Sequence, residues 1–147
     1  MASDIKIDID GIRLNVRVGV IMRFDGQVII EVSKIGRNSV VPGGRIHINE
    51  KSSDALVREI QEEMHIKLDK NKLKQIKVFE NFFKYDEQRV HEIYFLYDYS
   101  LTPEELKTIN LEINEDDETT YFKLVSSNEL EKYDLMPVTL HDIIRNA

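Results

Sequence analysis

Three glutamates stand close together in the segment "REIQEEM", residues 58–64. Glu59, Glu62 and Glu63 lie at positions i, i+3 and i+4, which places their side chains next to one another on one face of an α-helix. Like charges at this spacing destabilise a helix by about 0.2–0.5 kcal/mol per pair. Clustered carboxylates are hard oxygen ligands that suit Mg²⁺ or Mn²⁺ rather than Zn²⁺. The pattern therefore predicts a divalent-metal site in which the cation relieves the repulsion.

A solvated helix face is the ordinary explanation of a short charged run. Two features favour a ligand site instead. Arg58 can pair with Glu62 at i+4, but this leaves two of the carboxylates without a cation. The helix also follows Gly43 and Gly44, where a ligand can approach the backbone closely because no side chains intervene. We therefore expect a backbone carbonyl oxygen to face the carboxylates.

The composition is that of one ordinary globular domain. The chain has 147 residues, of which 41% are apolar and 32% are charged, enough to enclose a hydrophobic core. We expect a single domain spanning residues 1–147. No run approaches the roughly 20 apolar residues of a membrane span, and the N-terminal segment lacks the basic start and apolar stretch of a signal peptide. Cysteine is absent, which excludes disulfides and thiolate metal sites and agrees with the cytoplasmic location that we expect.

The net charge of −7 argues against nucleic acid as a partner. There are 27 acidic and 20 basic residues, and the basic residues are not gathered in a run of their own. The surface would therefore repel a phosphate backbone. For a small anionic ligand, metal cations are the natural link to an acidic protein. Four further acids form a second cluster at residues 115–118, in the segment "INEDDETT".

Alternating apolar and polar residues predict the elements that carry these acids. Residues 5–32 alternate around Asp10-Gly11 and Asp25-Gly26, two hairpin-turn dipeptides, and predict three antiparallel strands. Residues 33–44 form a loop rich in glycine and proline. The acidic helix is predicted at residues 53–64, where apolar residues recur at helical spacing.

The second half of the chain predicts further strands before the C-terminal helices. Residues 73–85 and 89–101 are rich in β-branched and aromatic residues and predict a second hairpin that turns at 86–88. A strand at residues 119–125 and helices at 126–133 and 138–146 complete the order. Either Ser52 or Ser53 can cap the acidic helix. The order predicts a mixed α/β fold, an α/β/α sandwich with a mixed sheet and the acidic helix between sheets.

The spacing from Gly44 to Ile66 resembles the Nudix box, G-x5-E-x7-R-E-U-x-E-E-x-G-U, in which U is apolar. Gly44, Glu50, Arg58 and the three glutamates occupy its fixed positions, and one position differs because His65 replaces the second glycine. His65 is expected to end the helix in the left-handed conformation that glycine would normally take. The preceding "VPGG" and the strand order around the box are also similar to a Nudix domain.

The resemblance implies hydrolysis of a nucleoside diphosphate linked to another group, such as a nucleotide sugar, ADP-ribose, a dinucleoside polyphosphate or an ordinary or oxidised nucleoside triphosphate. It implies that Mg²⁺ or Mn²⁺ is bound by Gly43, Glu59, Glu62 and Glu63, with Gly43 contributing its carbonyl oxygen. It also implies that Glu50 pairs with Arg58 and so holds the loop against the helix. Water would attack a phosphorus atom of the pyrophosphate bridge.

The general base of this family often lies on a loop after the box. Alignment with the family's later strand places Glu118 six residues before Leu124, where a tryptophan is usual. We therefore predict that Glu118 is an additional metal ligand or the general base. A purely solvated role for Glu118 is an equal alternative, and the three acids before it, at 115–117, are expected only to solvate the loop.

Residues outside the box predict the substrate contacts. Arg37 precedes the glycines and is a candidate phosphate contact. Phe83 and Tyr85, with Phe82 beside them, are candidates for stacking on a base, although such aromatics are more often core or rim. Glu92 shares one strand face with Tyr94 and could line a cleft, but a structural role is its ordinary explanation.

Two classes of function follow from these observations. An enzyme acting on a small nucleoside diphosphate derivative, as a monomer or homodimer without nucleic-acid or membrane partners, is the first. A non-catalytic Nudix-fold module that senses a nucleotide is the second. Such modules typically lose box glutamates, and all of them are present here, so the enzyme is favoured.

Overall fold

The computed structural model describes residues 3–146. Within that range, the chain forms seven strands and three α-helices. In order they are β1 (Lys6–Ile9), β2 (Ile12–Phe24), β3 (Gln27–Ser33), β4 (Gly43–Arg45), α1 (Ser52–Met64), β5 (Lys74–Tyr85), β6 (Gln88–Ser100), α2 (Pro103–Thr108), β7 (Thr120–Ser126) and α3 (Thr139–Arg145).

Strand β2 is the centre of one mixed sheet. Along one edge it pairs in parallel with β6, from Ile12 to Arg23. Its other edge is shared in turn by β1, β4 and β3, all antiparallel. The main order is β5-β6-β2-β3-β7. Since β2 and β3 pair only next to their turn, they separate further along, and residues 40–42 bond to both strands in the space between them.

Helices cover both faces of this sheet. Val20 and Met22 of β2 pack into a core with Leu56 and Ile60 of α1. Ile21, which points to the opposite face, packs into a second core that includes residues of α3. The predicted α/β/α sandwich is therefore confirmed. In detail, the strands form one hydrogen-bonded sheet rather than two, because β2 is long enough to pair with four other strands, and α1 lies against one face of it.

The turn predictions are confirmed. Asp10-Gly11 and Asp25-Gly26 have positive φ at both residues, as hairpin turns of this kind require. The second hairpin is also present, and its turn at Asp86-Glu87 likewise has positive φ at both residues. His65 ends α1 with φ 55° and ψ 35°, the left-handed conformation expected of it.

Two predicted details of the helices differ in the structure, and one helix was not predicted. The N-cap of α1 is Lys51, without a side-chain hydrogen bond, so a serine cap is wrong; the hydroxyl of Ser52 lies 2.6 Å from that of Tyr97 instead. The predicted helix at 126–133 is only a 3-10 turn at Ser127–Glu129, because the chain changes direction where the Met136 N–H donates to the carbonyl oxygen of Ser39. Helix α2 was not predicted, although Pro103 occupies its first turn.

Helix α3 lies inside the predicted segment 138–146. Among residues 3–146, the structure contains no helix with the length and apolar character to cross a membrane.

Candidate active site

Helix α1 and the acidic loop bring three carboxylates together. One oxygen atom from each of Glu59, Glu62 and Asp116 lies within 4.8 Å of the other two. Glu59 and Glu62 are one turn apart on α1, while Asp116 comes from the loop before β7. The donors are all carboxylate oxygens, a set that a hard divalent cation such as Mg²⁺ or Mn²⁺ prefers. The predicted metal site is therefore chemically sound, with one carboxylate that the sequence did not assign to it.

Arg58 connects the helix to the loop that precedes it. Its guanidinium donates two hydrogen bonds to Glu50, at 2.9 and 3.0 Å, and one to the carbonyl of Arg45, at 3.1 Å. It also donates to Glu59 at 2.8 Å, whereas its contact with Glu62 is 3.5 Å long. The structure thus brings together the two residues predicted to pair, and the same arginine orients one of the candidate ligands. Hydrogen bonding to Arg58 lowers the pKa of Glu50 below its ordinary value.

Glu63 lies on the buried side of the same helix. Its side chain is 4% exposed, and its Oε1 atom has no hydrogen-bond partner within the described chain. Burial raises the pKa of Glu63 far above its ordinary value, and the negative charges of Glu31 and Glu59 raise it further. Burial also raises the pKa of Glu59, against the lowering effect of Arg58. A divalent cation between these groups would compensate both the unpaired oxygen and the repulsion.

The acidic loop docks on α1 through its backbone. The N–H of Glu115 donates to the carbonyl of Glu63 at 2.9 Å, and the buried side chain of Asn114 accepts the N–H of Asp116 at 2.9 Å. These bonds hold Asp116 beside the helix glutamates. Glu118, which the sequence favoured, is exposed and lies outside the group. The position of the loop depends on a long-range backbone contact that loop composition does not reveal.

The two glycines before the helix are explained by close approaches. A Cβ atom on Gly44 would lie 2.3 Å from the carboxyl carbon of Glu59, and one on Gly43 would lie 2.0 Å from the carbonyl oxygen of Val18. Any side chain at Gly44 would therefore displace a candidate ligand.

The backbone of β4 also directs the carbonyl of Gly43. Pro42 accepts a hydrogen bond from Val20 of β2 at 3.0 Å. Because carbonyls alternate in direction along an antiparallel strand, those of Gly43 and Arg45 point away from β2. Arg45 accepts from Arg58 of α1, so this edge of β4 faces the helix. The direction agrees with the role predicted for the Gly43 carbonyl.

Sequence reasoning missed two charged residues on the sheet next to Glu63. Burial raises the pKa of Glu31 on β3, and the positive charge of Arg17 on β2 opposes this effect. Arg17 donates to the carbonyl of Val41 at 3.2 Å and lies 5.8 Å from the ring centroid of Tyr94. The available signal was a charged residue inside an otherwise apolar strand, as in "NVRVGV" and "VIIEV".

A cleft of about 1450 Å³ joins the carboxylates to the predicted substrate contacts. Its lining includes Arg37, Glu59, Phe83, Tyr85 and Asp116. The guanidinium of Arg37 lies 4.5 Å from the ring centroid of Tyr85 and 3.4 Å from Asp86. Phe82 lies on the other face of β5 from Phe83, and its ring packs against His91 with centroids 4.5 Å apart. Arg37, Phe83 and Tyr85 therefore share one cleft with Glu59 and Asp116.

Comparison with protein families matches residues 13–146 to the NUDIX domain, which confirms the resemblance found in the sequence. The fold is similar to a MutT protein from Bacillus halodurans, at a TM-score of 0.68 and 14% identity, covering 89% of this chain and 80% of that one. A MutT protein from Methanosarcina mazei matches at a TM-score of 0.64 and 15% identity, covering 95% of each chain.

A C. elegans Ap4A hydrolase matches at a TM-score of 0.59 and 14% identity, covering 90% of this chain and 92% of that one. Comparison with curated protein sequences finds no match. At these low identities, the structural likeness establishes a shared fold and leaves the substrate open.

Proposed function

The chain belongs to the NUDIX domain family of pyrophosphohydrolases, and we propose that it uses Mg²⁺ or Mn²⁺ to cleave the pyrophosphate bond of a nucleoside diphosphate linked to a second group. The products would be a nucleoside monophosphate and the phosphorylated second group. The observation that carries this proposal is the convergence of Glu59, Glu62 and Asp116, of which Glu59 and Asp116 line the large cleft.

Five groups are available to hold the metal: the carboxylates of Glu59, Glu62, Glu63 and Asp116, and the carbonyl oxygen of Gly43. When bound, a divalent cation neutralises charge on phosphate oxygens and lowers the pKa of a water molecule. Arg58 orients Glu59 through their 2.8 Å hydrogen bond. Positioned ligands of this kind reduce the reorganisation that the reaction would otherwise require.

We assign to Asp116 the role that the sequence gave to Glu118. Asp116 is exposed at the cleft beside two helix glutamates, so its carboxylate can accept a proton from the attacking water. Arg37 lines the cleft and can contact the phosphates, and Phe83 offers an aromatic face for a base. Which second group the substrate carries, the cytoplasmic location and the monomeric or homodimeric state stay predictions from the sequence.

The test is hydrolysis of a panel comprising nucleotide sugars, ADP-ribose, dinucleoside polyphosphates and nucleoside triphosphates, each with Mg²⁺, with Mn²⁺ and with excess chelator. Glu62→Gln should lower kcat by at least about a hundredfold, which is about 2.7 kcal/mol of activation free energy. Glu104→Gln, on the exposed side of α2, is the control and should retain wild-type activity. Full turnover in chelator would refute the proposal, and nucleotide binding without turnover would identify a sensing module.

A further inference from the structure

Three polar side chains cross the floor of the cleft in a line. Asn81 of β5 is the register partner of Glu92 on β6, and Glu92 is the register partner of Asn15 on β2. They therefore lie side by side on one face of the sheet. Asn15 is 3% exposed and Glu92 is 6% exposed. All three line the same cleft as the candidate metal ligands Glu59 and Asp116, and we call them the Asn15–Glu92–Asn81 row.

Hydrogen bonding within the row determines which atoms remain free. Asn15 Nδ2 donates to Glu92 Oε2 at 2.6 Å, and Asn81 Nδ2 donates to Glu92 Oε1 at 3.4 Å. An ionised carboxylate only accepts hydrogen bonds, so both amides must turn their NH₂ groups toward it. Their carbonyl oxygens then point elsewhere, and each carboxylate oxygen retains further lone pairs. The row consequently offers a ligand mainly hydrogen-bond acceptors and one negative charge.

On β5 and β6, the neighbouring positions on the same sheet face are aromatic or apolar, whereas on β2 they are Arg13 and Arg17. On one side of the row, Phe83 pairs in register with Val90. On the other side, Phe79 stacks on Tyr94 with ring centroids 4.8 Å apart. The part of the row on β5 and β6 therefore lies between aromatic and apolar side chains, which suits a flat ligand that combines apolar faces with a polar edge. A purely structural row would be satisfied as well by apolar side chains, without the burial of a charge.

We propose that the Asn15–Glu92–Asn81 row recognises the nucleobase of the substrate and selects a base that carries an exocyclic amino group over one that carries a carbonyl or hydrogen there. This inference rests on the proposed function, since it deepens the choice of substrate for the same cleft. An amino group donates to the Glu92 carboxylate, whereas the lone pairs of a carbonyl would be repelled by it. Phe83, two residues from Asn81 on the same strand face, provides a surface on which the base can stack.

The test uses pairs of nucleotides of which one member carries the amino group; guanosine and inosine differ in that group alone, whereas cytidine and uridine also differ in the hydrogen on N3. Cytidine is compared with uridine, and guanosine with inosine, both as the triphosphates or sugar derivatives that the wild type hydrolyses and as monophosphates in binding calorimetry. The wild type should favour the amino member of each pair by about 10- to 100-fold in kcat/KM, the range expected for one hydrogen bond to a charged group. Glu92→Gln should reduce this ratio to a few-fold.

Glu80→Gln is the matched control, because Glu80 lies on β5 next to Asn81 but bonds to His91 on the other face of the sheet. Its ratio should equal that of the wild type. Since the readout is a ratio measured on one protein, a general loss of stability or of catalysis cancels. Asn81→Ala is a second variant that leaves the shorter bond between Asn15 and Glu92 intact. It should also lower the ratio, and it provides the test if Glu92→Gln does not fold.

Two outcomes would overturn the inference while leaving the proposed function in place. One is a wild type that does not discriminate within either pair. The other is a Glu92→Gln variant in which kcat falls equally for every nucleotide, which would mark Glu92 as part of the reaction or of the framework. If the wild type hydrolyses nothing but its monophosphate binding discriminates and Glu92→Gln does not, the proposed function fails and the inference stands. Equal binding of all monophosphates by the wild type would overturn the inference as well.

Discussion

Replacing Arg58 by alanine should lower both the stability of the protein and its catalytic rate. The guanidinium makes two hydrogen bonds to Glu50, one to Glu59 and one to a backbone carbonyl, all between 2.8 and 3.1 Å. A bond to a charged group contributes about 1.5–3 kcal/mol when it is buried. Here the Arg58 and Glu50 side chains retain 23% and 18% of their exposure, so water replaces part of the loss. We expect the free energy of unfolding to fall by about 2–4 kcal/mol.

For a domain of this size, that change lowers Tm by about 5–15 °C, measurable by circular dichroism. Because Glu59 loses the donor that orients it, kcat should fall along with stability. Lys70→Ala is the control: its partner Asp54 is also on α1, but both side chains are about half exposed, and the loss should be below about 1 kcal/mol. An unchanged Tm with only a raised KM would refute the reasoning, since that combination indicates lost substrate binding.

The remaining predictions concern the acidic loop and the effect of pH. Asp116→Asn should reduce kcat by about 10²–10⁴ at saturating Mg²⁺ and substrate, whereas Glu118→Gln should change it little; equal losses would show that the loop acts through its summed charge. Because Arg58 lowers the pKa of Glu50, the stability from this pair is present above the unfolded-state pKa of about 4.3 and is lost as pH falls through the folded-state pKa. The difference in unfolding free energy between wild type and Arg58→Ala should therefore be largest at neutral pH and should shrink in acid, and a difference that is constant down to pH 2 would contradict this.

Much of the fold was predictable from short-range patterns. The dipeptides at Asp10 and Asp25 predicted hairpin turns, and positive φ values confirm both. The left-handed conformation of His65 was also predicted from its place at the end of the helix. In each case the controlling interactions act within a few residues, where sequence spacing and spatial distance nearly coincide. The helix predicted after Ser126 failed for the opposite reason, since a distant contact to Ser39 redirects the chain.

The pairing of Glu50 with Arg58 could be predicted because both residues lie within the box, eight positions apart. The spacing from Gly44 onward pointed to it through the resemblance, and the structure shows the two bonds. The choice between Asp116 and Glu118 could not be made in the same way. It depends on a backbone bond from Glu115 to Glu63, two residues that are far apart in sequence.

The acidic helix, the glycines beside it and the turns could be recognised from the residues alone, because helical periodicity and turn chemistry are local properties of the chain. The folded domain was needed to show which loop carboxylate meets that helix, that Glu31 lies next to Glu63, and that Asn15 and Glu92 share a hydrogen bond across β2 and β6. Asn15 and Glu92 are 77 positions apart. Contacts of that kind depend on strand register and loop docking, which are set by packing of the whole domain rather than by the residues nearby.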